Sequence, residues 1–225
     1  YCWNCKKKKP RSIGISATTY ALPASTTLAD RLRKEFPNLL IILGGAHANV
    51  AGIDAAKNIS SIDIVSYHPE GETVILDILE KFTDHNFNRE SLLHDLNIMK
   101  NIKGIIFKNK GEIIKNLPGE IIKNLDFLPL PARDLFPIER YVPLPNQYKK
   151  LPMTNMVVIR GCPYVCTFCD QAATTARRRS PKKVLEEIKD VVEKYGVKEI
   201  SFWDDTMSYH KKWMKEFCNL LIEAK

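Results

Sequence analysis

The sequence lacks both of the hydrophobic signals that would direct a protein into or across a membrane. It has no run of about 18 apolar residues, and no charged stretch followed by an apolar one precedes a cleavage site of small residues. Neither a membrane span nor a secretory signal is therefore predicted, and we expect a cytoplasmic protein. Hydrophobic residues form 44% of the 225 positions, enough to bury the cores of one or two domains.

The two ends of the sequence lack the signals of a complete chain. It begins at Tyr1 without an initiator methionine, and it stops at Lys225 inside an amphipathic helical pattern that has no stop signal. We therefore expect a fragment of a longer protein.

Acidic residues are too few to balance the basic ones, which leaves a formal net charge of +8. The basic residues concentrate at Lys6 to Lys9 and at Arg177 to Arg179. No RNA-binding motif occurs, and aromatic residues do not interleave with these runs. Solvated lysine faces explain the charge as well as a nucleic-acid surface does, so nucleic acid is not the expected partner.

Cysteine is scarce, and its placement is the most informative feature of the sequence. Three of the six cysteines are Cys162, Cys166 and Cys169, in the run RGCPYVCTFCD. A structural zinc site normally needs four ligands in paired groups, and no second pair follows at a suitable distance. A disulfide framework would need more cysteines, spread more widely. Three thiolates in one short loop can hold three corners of a 4Fe-4S cubane and leave one iron open.

This segment resembles the signature of the radical S-adenosylmethionine (SAM) enzymes, and Phe168 fits the usual form of that signature. In this family SAM binds the open iron through its amino and carboxylate groups. The resemblance implies reductive cleavage of SAM to a 5′-deoxyadenosyl radical, which abstracts hydrogen from the substrate. It also implies a reductant such as flavodoxin or ferredoxin and a small-molecule or natural-product-like substrate, which the sequence does not identify.

The first 83 residues alternate between strand and helix patterns. Predicted strands cover Ser12–Ser16, Leu39–Leu43 and Ile62–Ser66, and predicted helices cover Thr26–Phe36, Val50–Asn58 and Glu72–Phe82. Apolar strands joined by helices predict an α/β fold with a doubly wound, Rossmann-like parallel sheet. Ligands of such sheets bind beyond the carboxyl ends of the strands.

Small and polar residues follow each of these strands, and their order resembles that of a cobalamin-binding domain. The resemblance implies that the cobalamin tail is lined by Ser16, Thr18, Gly44, Gly45, Gly71 and Glu72. The DxHxxG element that opens the family's full fingerprint is absent from this sequence. His47 is either a loop hydrogen-bonding residue or, less in keeping with its position, a cobalt ligand.

Residues 84–150 are predicted to be a connector between two domains. Ile102–Asn116 has the pattern of a hairpin around Asn109, Lys110 and Gly111. A proline-rich stretch follows and blocks regular structure. The phrase from Leu125 to Phe136 is similar to the segment that joins the cobalamin domain to the barrel in this family, although an ordinary extended linker explains it too.

Residues 151–225 show two further strand and helix units, which predict the N-terminal part of a radical SAM partial β/α barrel. A strand over Asn155–Ile159 leads into the cysteines, and a second over Val197–Trp203 leads into Asp204 and Asp205. The intervening helix is predicted to begin after Ser180 and Pro181 and to end at Gly196. Its buried stripe is predicted to consist of Val184, Leu185, Ile188, Val191 and Val192.

Three charged residues near these strand ends are candidate SAM contacts. The resemblance implies that Asp204 or Asp205 binds the SAM ammonium group, whereas a helix N-cap at Asp205 is the structural alternative. Arg179, with Arg177, resembles the family's pattern after the cysteine loop, and an arginine fork suits a carboxylate or a phosphate. Plain surface charge is the alternative for both arginines.

Two other functional classes remain open at this point. One is a radical SAM enzyme that does not bind cobalamin. The other is an electron-transfer or metal-binding protein whose cluster is closed by a fourth cysteine, for which Cys2 and Cys5 are candidates. Cys218 lies among apolar residues of a helical pattern and is predicted to be part of the core.

Overall fold

A computed structural model describes residues 9–169 and 171–224, apart from the side chain of Glu139. The chain divides into two compact units, and the boundary between them in the sequence lies between Ile121 and Ile122. The predictions for Cys2, Cys5 and the first lysines of the basic run fall outside the described residues. Within the described part, no helix is both long enough and apolar enough to span a membrane.

The first unit contains a five-stranded sheet whose strands follow one another in chain order. The strands are β1 (Ser12–Ser16), β2 (Leu40–Gly44), β3 (Ile64–Ser66), β4 (Ile105–Asn109) and β5 (Glu112–Lys115). β1, β2 and β3 are parallel, and β4 and β5 are antiparallel to their neighbours. The three predicted parallel strands are therefore confirmed, with ends that differ by up to two residues.

Helices cover both faces of this sheet. They are α1 (Leu22–Glu35), α2 (Ala46–Asn58), α3 (Gly71–Asp84), α4 (Arg89–His94) and α5 (Leu96–Met99). Alternate residues of β2 point to opposite faces, so Ile41 and Leu43 pack with α1 and α2 while Leu40 and Ile42 pack with α3. Burial on both faces explains the continuous apolar run of β2 and confirms the predicted doubly wound fold.

The hairpin predicted within the connector is part of this sheet. β4 pairs with β3, where Ile64 lies opposite Phe107, and both strands of the hairpin belong to the first unit. Ile106 packs on one face of the sheet and Phe107 on the other. The hairpin pattern is local in sequence and does not reveal which exposed strand edge it joins, so the structure places it differently from the predicted connector.

A buried carboxylate links the helices of the first unit to its strands. Asp63 precedes β3, and its side chain is 2% exposed. Oδ2 accepts hydrogen bonds from Arg33 at 2.6 Å and from the Ile41 amide at 2.8 Å, and Oδ1 accepts two from Arg89, at 2.6 and 2.9 Å. Because both oxygens are used, this one side chain fixes α1 and α4 against β2.

The second unit contains two small sheets and two long helices. β6 (Met153–Met156) is parallel to β9 (Glu199–Phe202), and β7 (Ile159–Arg160) is antiparallel to β8 (Arg177–Arg178). The helices are α6 (Pro181–Tyr195) and α7 (Lys211–Glu223). Ser180 caps α6 by accepting a hydrogen bond from the Lys183 amide at 3.3 Å, and Gly196 ends it with a φ of +62°. Both predicted ends of this helix are confirmed.

Three details of the second unit differ from the sequence-based expectations. The strand predicted over Asn155–Ile159 is two strands, because β6 and β7 pair with different partners. Val192 is 47% exposed and lies beside the buried stripe of α6 rather than in it. Cys218 is exposed and not part of the core, because α7 packs through Trp213 and Phe217 instead.

We predict that Asp63→Asn lowers the free energy of unfolding by about 3–5 kcal/mol, because it leaves two arginines without their buried counter-charge. Denaturant unfolding of the intact protein measures the change. Asp84→Asn is the matched control, since its ion pair with Lys81 is 3.6 Å long and mostly exposed, and we expect less than about 1 kcal/mol there. Equal effects of the two substitutions would show that Asp63 has no special role.

Candidate active site around the cysteine loop

The three cysteines lie in a loop that is closed at its base by backbone pairing. Arg160 of β7 pairs with Arg177 of β8, so residues 161–176 form the loop between two antiparallel strands. Gly161 has a φ of +83°, and a Cβ there would lie 2.5 Å from the carbonyl oxygen of Thr175. Only glycine fits this position, because the two sides of the loop base touch at the backbone.

Hydrogen bonds across the loop hold the first cysteine in place. The Thr174 hydroxyl accepts from the Cys162 amide at 2.8 Å and donates to the Gln171 carbonyl at 2.7 Å. The Thr174 amide donates to the Cys162 carbonyl at 3.0 Å, and the Cys169 amide donates to the Cys166 carbonyl at 3.1 Å. These hydrogen bonds tie the two sides of the loop together around Cys162.

The thiol groups of this loop fit a cubane in number and chemistry. All three cysteines are free thiols, with Cys162 partly buried and Cys166 and Cys169 exposed. No three His, Cys, Asp or Glu side chains of the described residues converge on one metal-ion position. A cubane does not need such convergence, because each thiolate binds a different iron. Phe168 is 92% exposed on this loop, and its contact with SAM stays a prediction.

Asp204 lies at the end of β9 and binds the start of β7. Its Oδ1 accepts hydrogen bonds from the amides of Val158 and Ile159, at 2.8 and 2.6 Å. These bonds explain why the predicted single strand breaks after Met156. Burial raises the pKa of the Asp204 carboxyl above its ordinary value of 3.8, while the Ile159 and Val158 amides act in the opposite direction.

Two polar atoms at this strand end are buried and have no hydrogen-bond partner among the described residues. They are Oδ2 of Asp204 and the hydroxyl oxygen of Thr206. An unpaired buried acceptor suits a ligand that brings a donor, such as an ammonium group. Asp204 therefore has a free carboxylate oxygen for the predicted SAM contact, which stays a prediction.

Asp205 is exposed and does not cap the following helix. A short 3-10 turn over Met207–Tyr209 intervenes, and the N-cap of α7 is His210, whose Nδ1 accepts from the Trp213 amide at 3.1 Å. The N-cap alternative for Asp205 is therefore wrong. A contact between Asp205 and SAM stays a prediction.

Arg179 is buried, so the alternative of plain surface charge is wrong for this residue. Its guanidinium pairs with Oε2 of Glu187, and Arg133 of the proline-rich segment pairs with Oε1 of the same carboxylate at 2.6 Å. Its predicted contact with SAM stays a prediction.

Glu187 and Arg133 were not predicted as site residues. Glu187 occupies a buried position of α6, three residues after Val184 and four before Val191. A charged residue at the spacing of an apolar stripe was the signal that could have identified it.

The carboxyl edge of the first sheet brings the predicted cobalamin residues together. Ser16 lies opposite Gly44 at the ends of β1 and β2. Gly45 has a φ of +90°, and a Cβ there would lie 2.7 Å from both the Ala17 nitrogen and the Ser16 hydroxyl. The turn after β2 therefore packs directly against the turn after β1. This close approach of the two backbones requires a glycine at position 45.

Residues around this turn remain accessible at the same edge. Ser16 and Thr18 are exposed, and Gly71 and Glu72 begin α3 just after β3. His47 is buried, and its Nδ1 lies 3.1 Å from the hydroxyl of Thr19, which agrees with a loop hydrogen-bonding role rather than a cobalt ligand. Exposed hydroxyl groups beside the backbone of two glycines suit the polar tail of a cofactor. Contact of these residues with cobalamin stays a prediction.

We predict that Asp204→Ala destabilises the protein by about 1–3 kcal/mol, because the Val158 and Ile159 amides lose their acceptor. Asp204→Asn retains an acceptor oxygen and should cost less. Because the carboxyl pKa is raised in the folded state, the folded protein binds the proton more readily, and stability falls as pH rises from 3.8 through the folded pKa.

Urea unfolding of both variants at several pH values tests this account. The Asn variant should show a flatter dependence of stability on pH than the unmodified protein. Equal stability of the Ala and Asn variants would contradict the bridging role of Oδ1.

Comparison with known proteins places this site in a family. Residues 156–224 match the model of the Radical SAM superfamily. An uncharacterized methyltransferase of Pyrococcus horikoshii is 30% identical over 92% of this chain and 42% of its own length. The anaerobic magnesium-protoporphyrin IX monomethyl ester cyclase of Synechocystis is 29% identical over 93% of this chain and 39% of its own length. The chain thus spans less than half the length of these relatives.

A solved structure agrees with the fold over nearly the whole chain. The cobalamin-dependent S-adenosylmethionine radical enzyme OxsB, with aqua-cobalamin bound, superposes with a TM-score of 0.68 and 17% sequence identity. The match covers 97% of this chain and 30% of that one. The two chains therefore share a fold over this length. Residues 156–224, which include the three cysteines, therefore carry the similarity to the Radical SAM superfamily.

Proposed function

We propose that the protein is a radical SAM enzyme whose 4Fe-4S cluster is held by Cys162, Cys166 and Cys169. The observation that carries this proposal is the cysteine loop itself. It has three free thiols, and the pairing of β7 with β8 closes its base. Asp204 accepts a hydrogen bond from the Ile159 amide at the start of β7. When bound, the cluster would supply one electron to the SAM sulfonium and so release methionine and a 5′-deoxyadenosyl radical.

The protein's own residues would position the reactants. Thr174 fixes the backbone of Cys162, and the exposure of Cys166 and Cys169 leaves one side of the loop accessible to a cluster. The free oxygen of Asp204, with Asp205 beside it, would accept hydrogen bonds from the SAM ammonium group. Phe168 and Arg179 complete the proposed SAM contacts, the former by stacking and the latter through its guanidinium.

We further propose that the first unit binds cobalamin at its carboxyl edge. Ser16, Thr18 and the Gly44–Gly45 turn would line the cofactor tail, with Gly71 and Glu72 at the neighbouring strand end. The names of the relatives, a methyltransferase and a cyclase, support methyl transfer or a ring-forming rearrangement of a small-molecule substrate. A flavodoxin or a ferredoxin would supply the electron.

We predict that the intact protein, reconstituted with iron and sulfide without oxygen and then reduced, converts SAM to 5′-deoxyadenosine. Single Ala substitutions at Cys162, Cys166 and Cys169 should each abolish the product, because a cubane held by two thiolates is not retained. Cys218→Ala is the control, since this thiol is exposed and lies outside the loop. Chromatography of the quenched reaction measures the product.

The same assay separates the competing functional class. If Cys2→Ala or Cys5→Ala removes the cluster, the site is closed by a fourth cysteine and the protein transfers electrons. Product formed by both of these variants supports an open iron. Absence of product from the unmodified protein with an intact cluster would contradict the proposed reaction.

We predict that Gly45→Ala abolishes binding of hydroxocobalamin, because its Cβ would push the turns after β1 and β2 apart. Gly111→Ala is a matched control, since Gly111 has a nearly equal φ of +87° but open space around its Cβ. Both variants therefore carry the same backbone strain, and only the first has the steric clash. Equilibrium dialysis read by visible absorbance measures binding. Unchanged binding in Gly45→Ala would contradict the assigned edge.

A further inference from the structure

A cavity of about 630 Å³ lies within the second unit, between the proline-rich segment and β6. Much of its wall is apolar, and it includes Phe136, Tyr141, Val142 and Trp203. Trp203 is 65% exposed, an unusual state for the largest apolar side chain. Small-molecule sites typically have volumes of roughly 300–1,000 Å³ and walls of this kind. The cavity thus has the size and the lining of a ligand site.

The charged residues of this lining are mostly positive. Arg133 and Arg179 contribute two guanidinium groups, and Glu187 contributes the one carboxylate beside them, which leaves a net charge of +1 on these three buried residues. Arginine stays protonated in proteins, so this charge persists at any physiological pH. Apolar walls strengthen the field of such charges inside a cleft. The cavity therefore favours an anion and disfavours a cation.

The guanidinium donors are not used up by the protein. Glu187 gives one oxygen to Arg133 and the other to Arg179, and Arg133 also donates to the Asn155 carbonyl at 3.4 Å. Nη1 of Arg133 and Nε of Arg179 are buried and have no acceptor within the described part of the chain. Both side chains are 10% exposed. Buried donors without acceptors are rare, and a bound anion would provide the missing acceptor.

We propose that this cavity binds a small organic anion, an apolar or aromatic body that carries one carboxylate. The carboxylate lies toward Arg133 and Arg179, and the body packs against Trp203 and Tyr141. A carboxylate is the acceptor that guanidinium groups bind best, and an aromatic body matches the exposed indole. This site shares Arg179 with the proposed SAM contacts, whereas Arg133 and the apolar wall belong to the cavity alone. Its occupancy does not require the cluster or cobalamin.

Fluorine NMR titration of the intact, cluster-free protein tests the proposal with two probes of the same shape. The probes are 4-(trifluoromethyl)benzoate and its neutral analogue 4-(trifluoromethyl)benzamide. We expect the benzoate to bind about tenfold more tightly or better, which is the contribution of one charged hydrogen bond. Equal affinity for the two probes would overturn the proposal, because the cavity would then not select an anion.

Three variants locate the probe. Arg133→Met should lower the benzoate affinity to that of the benzamide, whereas Arg31→Met, at an exposed position of the first unit, should leave it unchanged. Trp203→Ala keeps the ion pairs of Glu187 and should weaken both probes. A preference for benzoate that survives Arg133→Met would overturn the proposal.

The tryptophan variant also keeps the proposal testable if Arg133→Met does not fold, as circular dichroism would reveal. Binding of both probes that is unaffected by Trp203→Ala would then place them elsewhere and overturn the proposal.

Discussion

The cysteine loop depends on one carboxylate, that of Asp204. Its Oδ1 accepts hydrogen bonds from the amides of two successive residues, Val158 and Ile159. These two residues therefore do not continue the pairing between β6 and β9, which ends at Met156. β7 is then free to pair with β8, which returns the chain after the cysteines and closes the loop. A single side chain thereby connects the end of β9 to the beginning of the loop. The proposed SAM contact and the proposed cluster ligands are held by the same hydrogen bonds.

The carboxylate of Glu187 is buried and connects the segments around this loop. It binds Arg179, which directly follows β8, and Arg133, which belongs to the proline-rich segment before the first barrel strand. The indole nitrogen of Trp213 donates to the Arg179 carbonyl at 2.7 Å, which fixes α7 to the same point. Ion pairs of this kind contribute little net stability after desolvation, but the loss of one partner is costly. Their value here lies in holding the loop base and the cavity floor in one arrangement.

Much of this fold could be predicted because local patterns determined it. The continuous apolar run of β2 required burial on both faces, and Ser180, Pro181 and Gly196 bounded α6 through their intrinsic backbone preferences. The break between β6 and β7 could not be predicted, because it depends on Asp204, some 45 residues later in the chain. The placement of the hairpin beside β3 and the two arginine partners of Glu187 could not be predicted either, because they too depend on residues distant in the chain. Long-range contacts of polar side chains leave little trace in a single sequence.

In the proposed function, the cysteine loop holds a cubane with one iron open to SAM. Electron paramagnetic resonance of the reduced, reconstituted protein tests it most directly when spectra are recorded with and without SAM. We predict a cubane signal that shifts on addition of SAM, because SAM becomes a ligand of the open iron. A cubane signal that SAM leaves unchanged, or a failure to form any cluster, would contradict the claim.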